Sequence, residues 1–234
     1  MVGSNGIREN DGIEQLYFIV KYILEGKDIP YYDLGKIYDN CNLYHGYKIG
    51  GIFDYILRTN KAREIFEFFE KIGILSLLLP DVHELSFIPQ IKAKSVNAFD
   101  HTLRVVEVIP IDNIILRWAG LLHDTGKVKS YFELGNFYNH QNYSYDIAKK
   151  IINDLNIGGE DLILTIIKYH MYPLDYQRNP NWTDETIKRF IDNVDLDAAI
   201  LITEFAYYDK KAENGKEEYL KPILELKERI INAH

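Results

Sequence analysis

The chain has 234 residues, of which 47% are hydrophobic and 26% are charged, a composition typical of a folded globular protein. It carries 27 Lys and Arg against 35 Asp and Glu, and the formal net charge of −8 argues against a surface that holds a long nucleic-acid backbone. A small anionic substrate remains compatible with this charge if cations are concentrated at one site.

The single cysteine, Cys41, excludes an internal disulfide and favours a reducing compartment. The first residues, MVGSNGIREND, lack the basic flank and apolar core of a signal peptide, and no apolar run reaches the length of a membrane span. We therefore expect a cytoplasmic protein that has no membrane partner. The sequence does not indicate an oligomeric state.

Apolar residues recur at helical spacing along the chain, whereas strand-like alternation is scarce, and this pattern predicts an all-α fold. Two faces carry the pattern in the first third of the chain, namely Leu16, Ile19, Val20 and Ile23, and then Ile65, Phe66, Phe69 and Ile72. We predict an N-terminal helical segment over residues 1–90 and a second unit over residues 91–234.

The second unit contains most of the remaining helical pattern. Its predicted helices lie at about residues 97–108, 111–124, 140–155, 161–170, 183–193, 196–211 and 217–231. Gly126 is expected to end the helix over 111–124, and the stretch from Pro173 to Thr183 is expected to be a loop.

Four histidines, His101, His123, His140 and His170, fall beside apolar helical segments in the middle of the chain. A histidine on a buried helix is either hydrogen-bonded in the core or a neutral metal ligand. For any one of them alone, the core histidine is the favoured interpretation. The other three histidines, His45, His83 and His234, are interpreted as structural, exposed or terminal.

The dipeptide His123-Asp124 lies where an apolar helix is predicted to end, in the stretch LLHDTGK. The negative end of a helix disfavours an unpaired aspartate, whereas a divalent cation would satisfy both side chains and the helix terminus. Imidazole with carboxylate is a ligand mixture that suits Mn, Fe, Co, Ni and Zn. The alternative is that Asp124 caps the next turn.

Three further positions could complete such a site. His101 lies 22 positions before His123, so antiparallel packing of two helices could bring them together. Arg104 follows His101 by three residues on the same helical face, and Lys127 follows the dipeptide. These two cations could bind phosphate oxygens, although each could equally be a solvated surface cation.

The order of His101, His123-Asp124, His140, His170 and a late aspartate resembles the signature of the HD-domain phosphohydrolase superfamily. Within it, the chain is most similar to the body and HD region of bacterial tRNA nucleotidyltransferases and poly(A) polymerases. The resemblance spans roughly residues 50–170, and its most similar stretches are residues 61–85, 99–107, 116–127 and 137–156.

The resemblance implies a helical HD-domain fold with one or two divalent ions, which would be Mn, Fe, Co, Ni or Mg. It implies that His101, His123 and Asp124 bind a first ion together with a late aspartate, and that His140 and His170 hold a second. Asp209 fits the late aspartate best. Asp195 and Asp192 remain alternatives.

The chain also departs from the tRNA nucleotidyltransferases. Their head domain begins with a glycine-rich stretch that GGIFDYIL, residues 50–57, imitates, but Phe53 stands where an arginine would be expected and no Asp-x-Asp pair follows. We therefore interpret this stretch as a chance likeness and expect nucleotide addition to be absent.

The function that these features predict is metal-dependent hydrolysis of a nucleotide or nucleotide-like phosphate, as a phosphomonoesterase or a cyclic phosphodiesterase. Asp124 and Lys127 would be catalytic, and Arg104 and Lys127 would bind the substrate phosphate. Two alternatives are a non-catalytic module that binds tRNA or protein, and a structural protein with hydrogen-bonded core histidines. Nucleic acid is expected as a partner only at an end or locally.

Overall fold

The computed structural model describes residues 12–29, 31–40, 46–90, 95–213 and 215–233. These residues form helices and no strand, which confirms the all-α prediction. Cys41, His45 and His234 lie outside the described residues.

The N-terminal helical segment is present. Its helices are α1 (Gly12–Glu25), α2 (Leu34–Asn40), α3 (Gly46–Leu57), α4 (Ala62–Lys71), α5 (Ile74–Leu78) and α6 (Pro80–His83), followed by a short 3₁₀ helix (Glu84–Phe87). The predicted face of α1 is buried, as are Ile65, Phe66 and Phe69 of α4. The ring of Phe66 stacks on that of Phe53 with centroids 5.9 Å apart.

The remaining helices follow from residue 98. They are α7 (Ala98–Val108), α8 (Ile114–Leu122), α9 (Lys127–Leu134), α10 (His140–Leu155), α11 (Glu160–Tyr169), α12 (Met171–Arg178), α13 (Asp184–Val194), α14 (Leu196–Glu213) and α15 (Glu217–Asn232). Helix α14 is the central element, because it packs against α7, α8, α11, α12, α13 and α15.

One apolar core joins residues from both parts of the chain. The structure therefore shows one shared core across residue 90, and the division of the chain into two units at that residue stays a prediction. The stretch GGIFDYIL belongs to α3, which packs against α10. A Cβ atom on Gly50 would lie 2.2 Å from the carbonyl oxygen of Leu155, so the close approach of these two helices accounts for the glycine.

The structure corrects the prediction around Gly126. This residue does not end a helix in the left-handed conformation, because its φ is −70° and α9 begins at the next residue. Its N–H donates to the Ser144 hydroxyl at 2.8 Å, and a Cβ atom would lie 2.2 Å from the carbonyl oxygen of His140. Glycine is needed here because α10 approaches the backbone so closely.

The loop expected from Pro173 to Thr183 is also wrong in its first half, which is α12. Pro173 is the third residue of that helix, and proline is tolerated in a first turn because the N–H groups there have no partner within the helix. No helix among the described residues is long and apolar enough to cross a membrane.

Candidate metal centre

Six side chains from five helical regions meet at one buried point. His101 lies on α7, His123 and Asp124 follow the end of α8, His140 begins α10, His170 follows α11, and Asp209 lies on α14. Five of the six residues are buried, and the Asp209 side chain is 13% exposed.

Asp124 is at the middle of this cluster. Its Oδ2 lies 3.2 Å from Nε2 of His123 and 3.8 Å from Nε2 of His101, while its Oδ1 lies 3.3 Å from Nε2 of His140. The two oxygens of one carboxylate therefore face two groups of histidines. Each group, His101–His123–Asp124 and Asp124–His140–His170, has its possible ligand atoms within 4.8 Å of one another and could hold a metal ion.

Backbone carbonyls set the orientation of three of the four histidine rings. Nδ1 of His123, His140 and His170 lies 2.9, 2.8 and 2.7 Å from the carbonyl oxygen three residues earlier in the chain. A carbonyl oxygen only accepts, so each Nδ1 carries the hydrogen and donates it. The lone pair of each ring is then on Nε2, which points into the cluster, as it does in metal-binding histidines.

This arrangement fits a divalent cation and is unfavourable without one. Nε2 of His140 lies 3.2 Å from Nε2 of His170, so two lone pairs face each other. Nε2 of His123 is buried without a hydrogen-bond partner. A buried acceptor with no donor costs about 1–3 kcal/mol, and a cation between these atoms would remove that cost.

The pKa values of Asp124, Asp209 and His170 favour the protonation states that metal ligands require, whereas that of His123 is raised because Asp124 outweighs the effect of burial. Burial raises the pKa of Asp124, but His123 and Lys127 outweigh it and hold that pKa well below its usual range. For Asp209, burial is likewise outweighed by His101, so its pKa is also lowered. Burial, with His140 and His123 nearby, lowers the pKa of His170 to about 3. Both carboxylates are thus ionised and His170 is neutral near pH 7.

The structure places Asp209, rather than the two alternatives, next to the histidines. Its Oδ1 lies 2.9 Å from Nε2 of His101. Asp195 is exposed and accepts the N–H of Ala198 at 2.8 Å, which caps the first turn of α14, and Asp192 is exposed on α13.

Lys127 lies beside the cluster as the sequence indicated. Its Nζ donates to Oδ2 of Asp124 at 2.6 Å and to Oε1 of Gln90 at 2.8 Å. Arg104 is not among the residues that line the cavity over the cluster, so its role in phosphate binding stays a prediction. Nε of Arg104 donates instead to Asp100 at 3.2 Å, and that carboxylate also pairs with Arg63 of α4.

A cavity of about 670 Å³ opens over the cluster, and His101, Asp124, Lys127, His140, His170 and Asp209 are in its wall. Two further cations that were not predicted from the sequence, Arg178 and Lys210, also line it. Lys210 could have been found, because it adjoins Asp209 on a predicted helix. Arg178 could not, because α12 was expected to be a loop.

His83 is outside this cluster, with Nδ1 2.8 Å from a carboxylate oxygen of Glu70. It ties α6 to α4, which agrees with the structural interpretation of this histidine.

The helical fold and the buried histidines around the His-Asp dipeptide are typical of a class of helical domains that bind metals. Residues 95–219 match the family described as HD domain, which covers more than half of the chain. The chain belongs to the HD domain family, whose members bind divalent metals.

Two curated relatives extend this result. The chain is 27% identical over 130 residues to an A-adding tRNA nucleotidyltransferase of Deinococcus radiodurans, a match that covers 51% of this chain and 30% of the relative. It is 27% identical over 121 residues to a multifunctional CCA protein of Shewanella denitrificans, covering 49% of this chain and 29% of the relative. The matched region thus spans less than a third of either relative.

Proposed function

We propose that the protein is a divalent-metal-dependent phosphohydrolase that acts on a nucleotide or nucleotide-like phosphate, as a phosphomonoesterase or a cyclic phosphodiesterase. The observation that carries the proposal is the convergence of four Nε2 atoms and two carboxylates at the floor of a cavity that also contains lysine and arginine. Pockets of 300–1,000 Å³ suit small organic ligands, and the cavity, at about 670 Å³, has room for a nucleotide as well as for a phosphate group.

His101, His123, Asp124 and Asp209 would hold a first ion. Asp124 would bridge to a second ion held by His140 and His170, since its two oxygens face the two groups. When bound, the metal would supply a water of lowered pKa and a positive charge near the phosphoryl oxygens. The ligand set suits Mn, Fe, Co, Ni or Zn, and Mg is a further candidate.

Lys127 has two roles in this proposal. Its ammonium group fixes the position of the Asp124 carboxylate through the 2.6 Å hydrogen bond. It also lines the cavity, where its charge would offset charge that builds on the phosphate. Arg178 and Lys210 would bind further phosphate oxygens, since both line the cavity.

The competing function is a non-catalytic module that binds tRNA. The name of one relative, an A-adding tRNA nucleotidyltransferase, supports it, and the match lies in a limited part of both relatives. A scaffold, however, gains nothing from six buried or nearly buried metal-ligand side chains placed within reach of one another.

The test compares two aspartate variants with the wild-type chain. Bound metal per chain is measured after purification, and hydrolysis of phosphomonoesters and cyclic phosphodiesters is then screened with Mn, Co, Ni and Mg. We expect Asp124→Asn to lose the metal and the activity. Asp192→Asn is the matched control, because Asp192 is exposed and undergoes the same chemical change, and it should retain both.

Two results would contradict the proposal. One is wild-type protein that binds no divalent metal and hydrolyses no phosphate ester. The other is activity that is equal in the Asp124→Asn variant and the wild type. Binding of tRNA by the metal-free protein, with no hydrolysis under any condition, would establish the competing function.

A further inference from the structure

A row of three aromatic rings leads from the wall of the cavity onto the surface of α9. Phe137 lines the cavity. The ring of Tyr131 lies 6.0 Å from that of Phe137, and the ring of Phe132 lies 5.9 Å from that of Tyr131. We name these three residues the aromatic strip.

The strip becomes more exposed with distance from the cavity. Phe137 is half-buried, Tyr131 is 38% exposed and Phe132 is 76% exposed. An exposed phenylalanine adds little to folding stability, because its surface stays in water. Contiguous exposed aromatic surface beside a cavity is more typical of a binding site.

Local hydrogen bonds hold the strip in place. Gly135 ends α9 in the left-handed conformation, with φ of 67°, so the chain turns back and brings Phe137 beside α9. The Ser130 hydroxyl is close to two carbonyl oxygens of the returning segment, those of Asn136 at 3.0 Å and Tyr138 at 2.7 Å. These hydrogen bonds therefore hold the segment that carries Phe137 against α9, which carries the other two rings.

Charge near the strip is compatible with an anionic chain. Lys127 and Lys129 lie on α9, and Arg178 and Lys210 line the cavity. Each of these cations also pairs with a carboxylate of its own helix or helix end, namely Asp124, Glu133, Asp175 and Glu213 in turn, so an anionic ligand would share them. The net charge of −8 restricts such a ligand to a short length, because a long backbone would meet acidic surface.

We propose that the aromatic strip stacks the bases of a single-stranded nucleic-acid end whose terminal phosphate enters the cavity. The inference rests on the proposed function and names its substrate as an oligonucleotide end rather than a free mononucleotide. Stacking on aromatic rings tolerates all bases, since each has a flat π face. The site therefore accepts all four bases with similar affinity.

The test uses a mononucleotide, a dinucleotide and a tetranucleotide that carry the same terminal phosphate. For the wild type, we expect KM to fall about fivefold or more as nucleotides are added, because stacking contributes roughly that factor or more for each base. In Phe132→Ser, KM for the tetranucleotide rises toward the mononucleotide value, while the mononucleotide kinetics are unchanged. Phe132→Trp, which keeps a large ring, retains the gain.

Tyr38→Ser is the control, because Tyr38 is also exposed, at 67%, and lies on α2 in the N-terminal segment. It should leave every KM unchanged. Equal wild-type KM values for the three substrates would overturn the inference. So would a Phe132→Ser variant that keeps the wild-type KM values but loses a dimer seen by light scattering, since the strip would then join two copies of the chain.

The proposed function can fail separately. If no phosphate ester is hydrolysed, including p-nitrophenyl phosphate, the hydrolase proposal is wrong. Equilibrium binding then tests whether the aromatic strip binds an oligonucleotide. A labelled tetranucleotide should then bind the wild type at least about fivefold more tightly than Phe132→Ser, and equal binding would overturn the inference.

Discussion

The helices before residue 90 and those after it bury different kinds of side chain. In the described residues up to 90, the buried side chains are apolar, and charged pairs such as Arg58–Asp54 remain partly exposed. The buried polar and charged residues of the described chain all lie between Ser95 and Thr203. The first region therefore has an ordinary apolar core, whereas the second buries the candidate metal centre within its core.

The difference shows where the fold and the site make opposite demands. Burying charged groups opposes folding unless each one is paired or bound to a metal. In the second region Asp124 is paired with Lys127. Nε2 of His123 and two nitrogen atoms of Arg117, by contrast, are buried without a hydrogen-bond partner. The apolar N-terminal segment shares one core with this region and so supports it.

The largest expected effect on stability lies in the first region. Phe66→Ala should lower the free energy of unfolding by about 3–5 kcal/mol, because the ring is fully buried and its removal leaves a cavity. Chemical denaturation measures this change. Tyr47→Ala, at a position 61% exposed, should change stability by less than about 0.5 kcal/mol. Similar losses for both variants would show that the Phe66 core is not as tightly packed as described.

Metal should stabilise the protein through the second region alone. At a free concentration a hundredfold above its dissociation constant, a bound ion raises the free energy of unfolding by about 2.7 kcal/mol. Denaturation with manganese and with a chelator should show this rise in the wild type and in Phe66→Ala, but not in Asp124→Asn. A rise that persists in Asp124→Asn would place the metal elsewhere.

Replacing Arg117 should raise the stability of the protein rather than lower it. The residue is 1% exposed, its Nε and Nη1 have no hydrogen-bond partner among the described residues, and burial lowers its pKa to about 10. Arg117→Met should therefore raise the free energy of unfolding by about 1–3 kcal/mol. The control Arg58→Met removes an exposed helix pair and should cost about 0.3–0.5 kcal/mol. Clear destabilisation by Arg117→Met would mean that the guanidinium has a favourable partner.

The smallest expected effect is on the pH dependence of the metal-free protein. Burial and the neighbouring histidines lower the folded-state pKa of His170 to about 3, so the unfolded chain binds its proton first and stability falls as pH drops below about 6.5. For His123, burial is outweighed by Asp124, and the raised pKa gives stability that is present below about 6.5 and lost at higher pH. The two contributions therefore fall in different pH ranges, that of His170 below about 6.5 and that of His123 above it.

His170→Asn removes the first of these slopes. Denaturation in chelator between pH 7 and pH 4.5 should show a smaller loss of stability on acidification in this variant than in the wild type. The control is His83→Asn, at a half-buried histidine outside the cluster, which should leave the slope contributed by His170 in place. Identical profiles for the wild type and His170→Asn would indicate that His170 is already protonated in the folded protein.

The sequence alone determined the class of fold and the centre of the site. Apolar residues at helical spacing gave the all-α class, because burial of one face requires that period whatever the partner is. The order of His101, His123-Asp124, His140 and His170 indicated the family, and the structure brings these residues together.

Only the tertiary structure decided which other charges face the site. Arg104 shares a helix with His101, but its Nε donates to Asp100 and it does not line the cavity. Arg178 reaches the cavity from α12, a helix that Pro173 had appeared to exclude. Helical spacing fixes which residues share a face, whereas the packing of distant helices decides what that face meets, and no local pattern encodes those contacts.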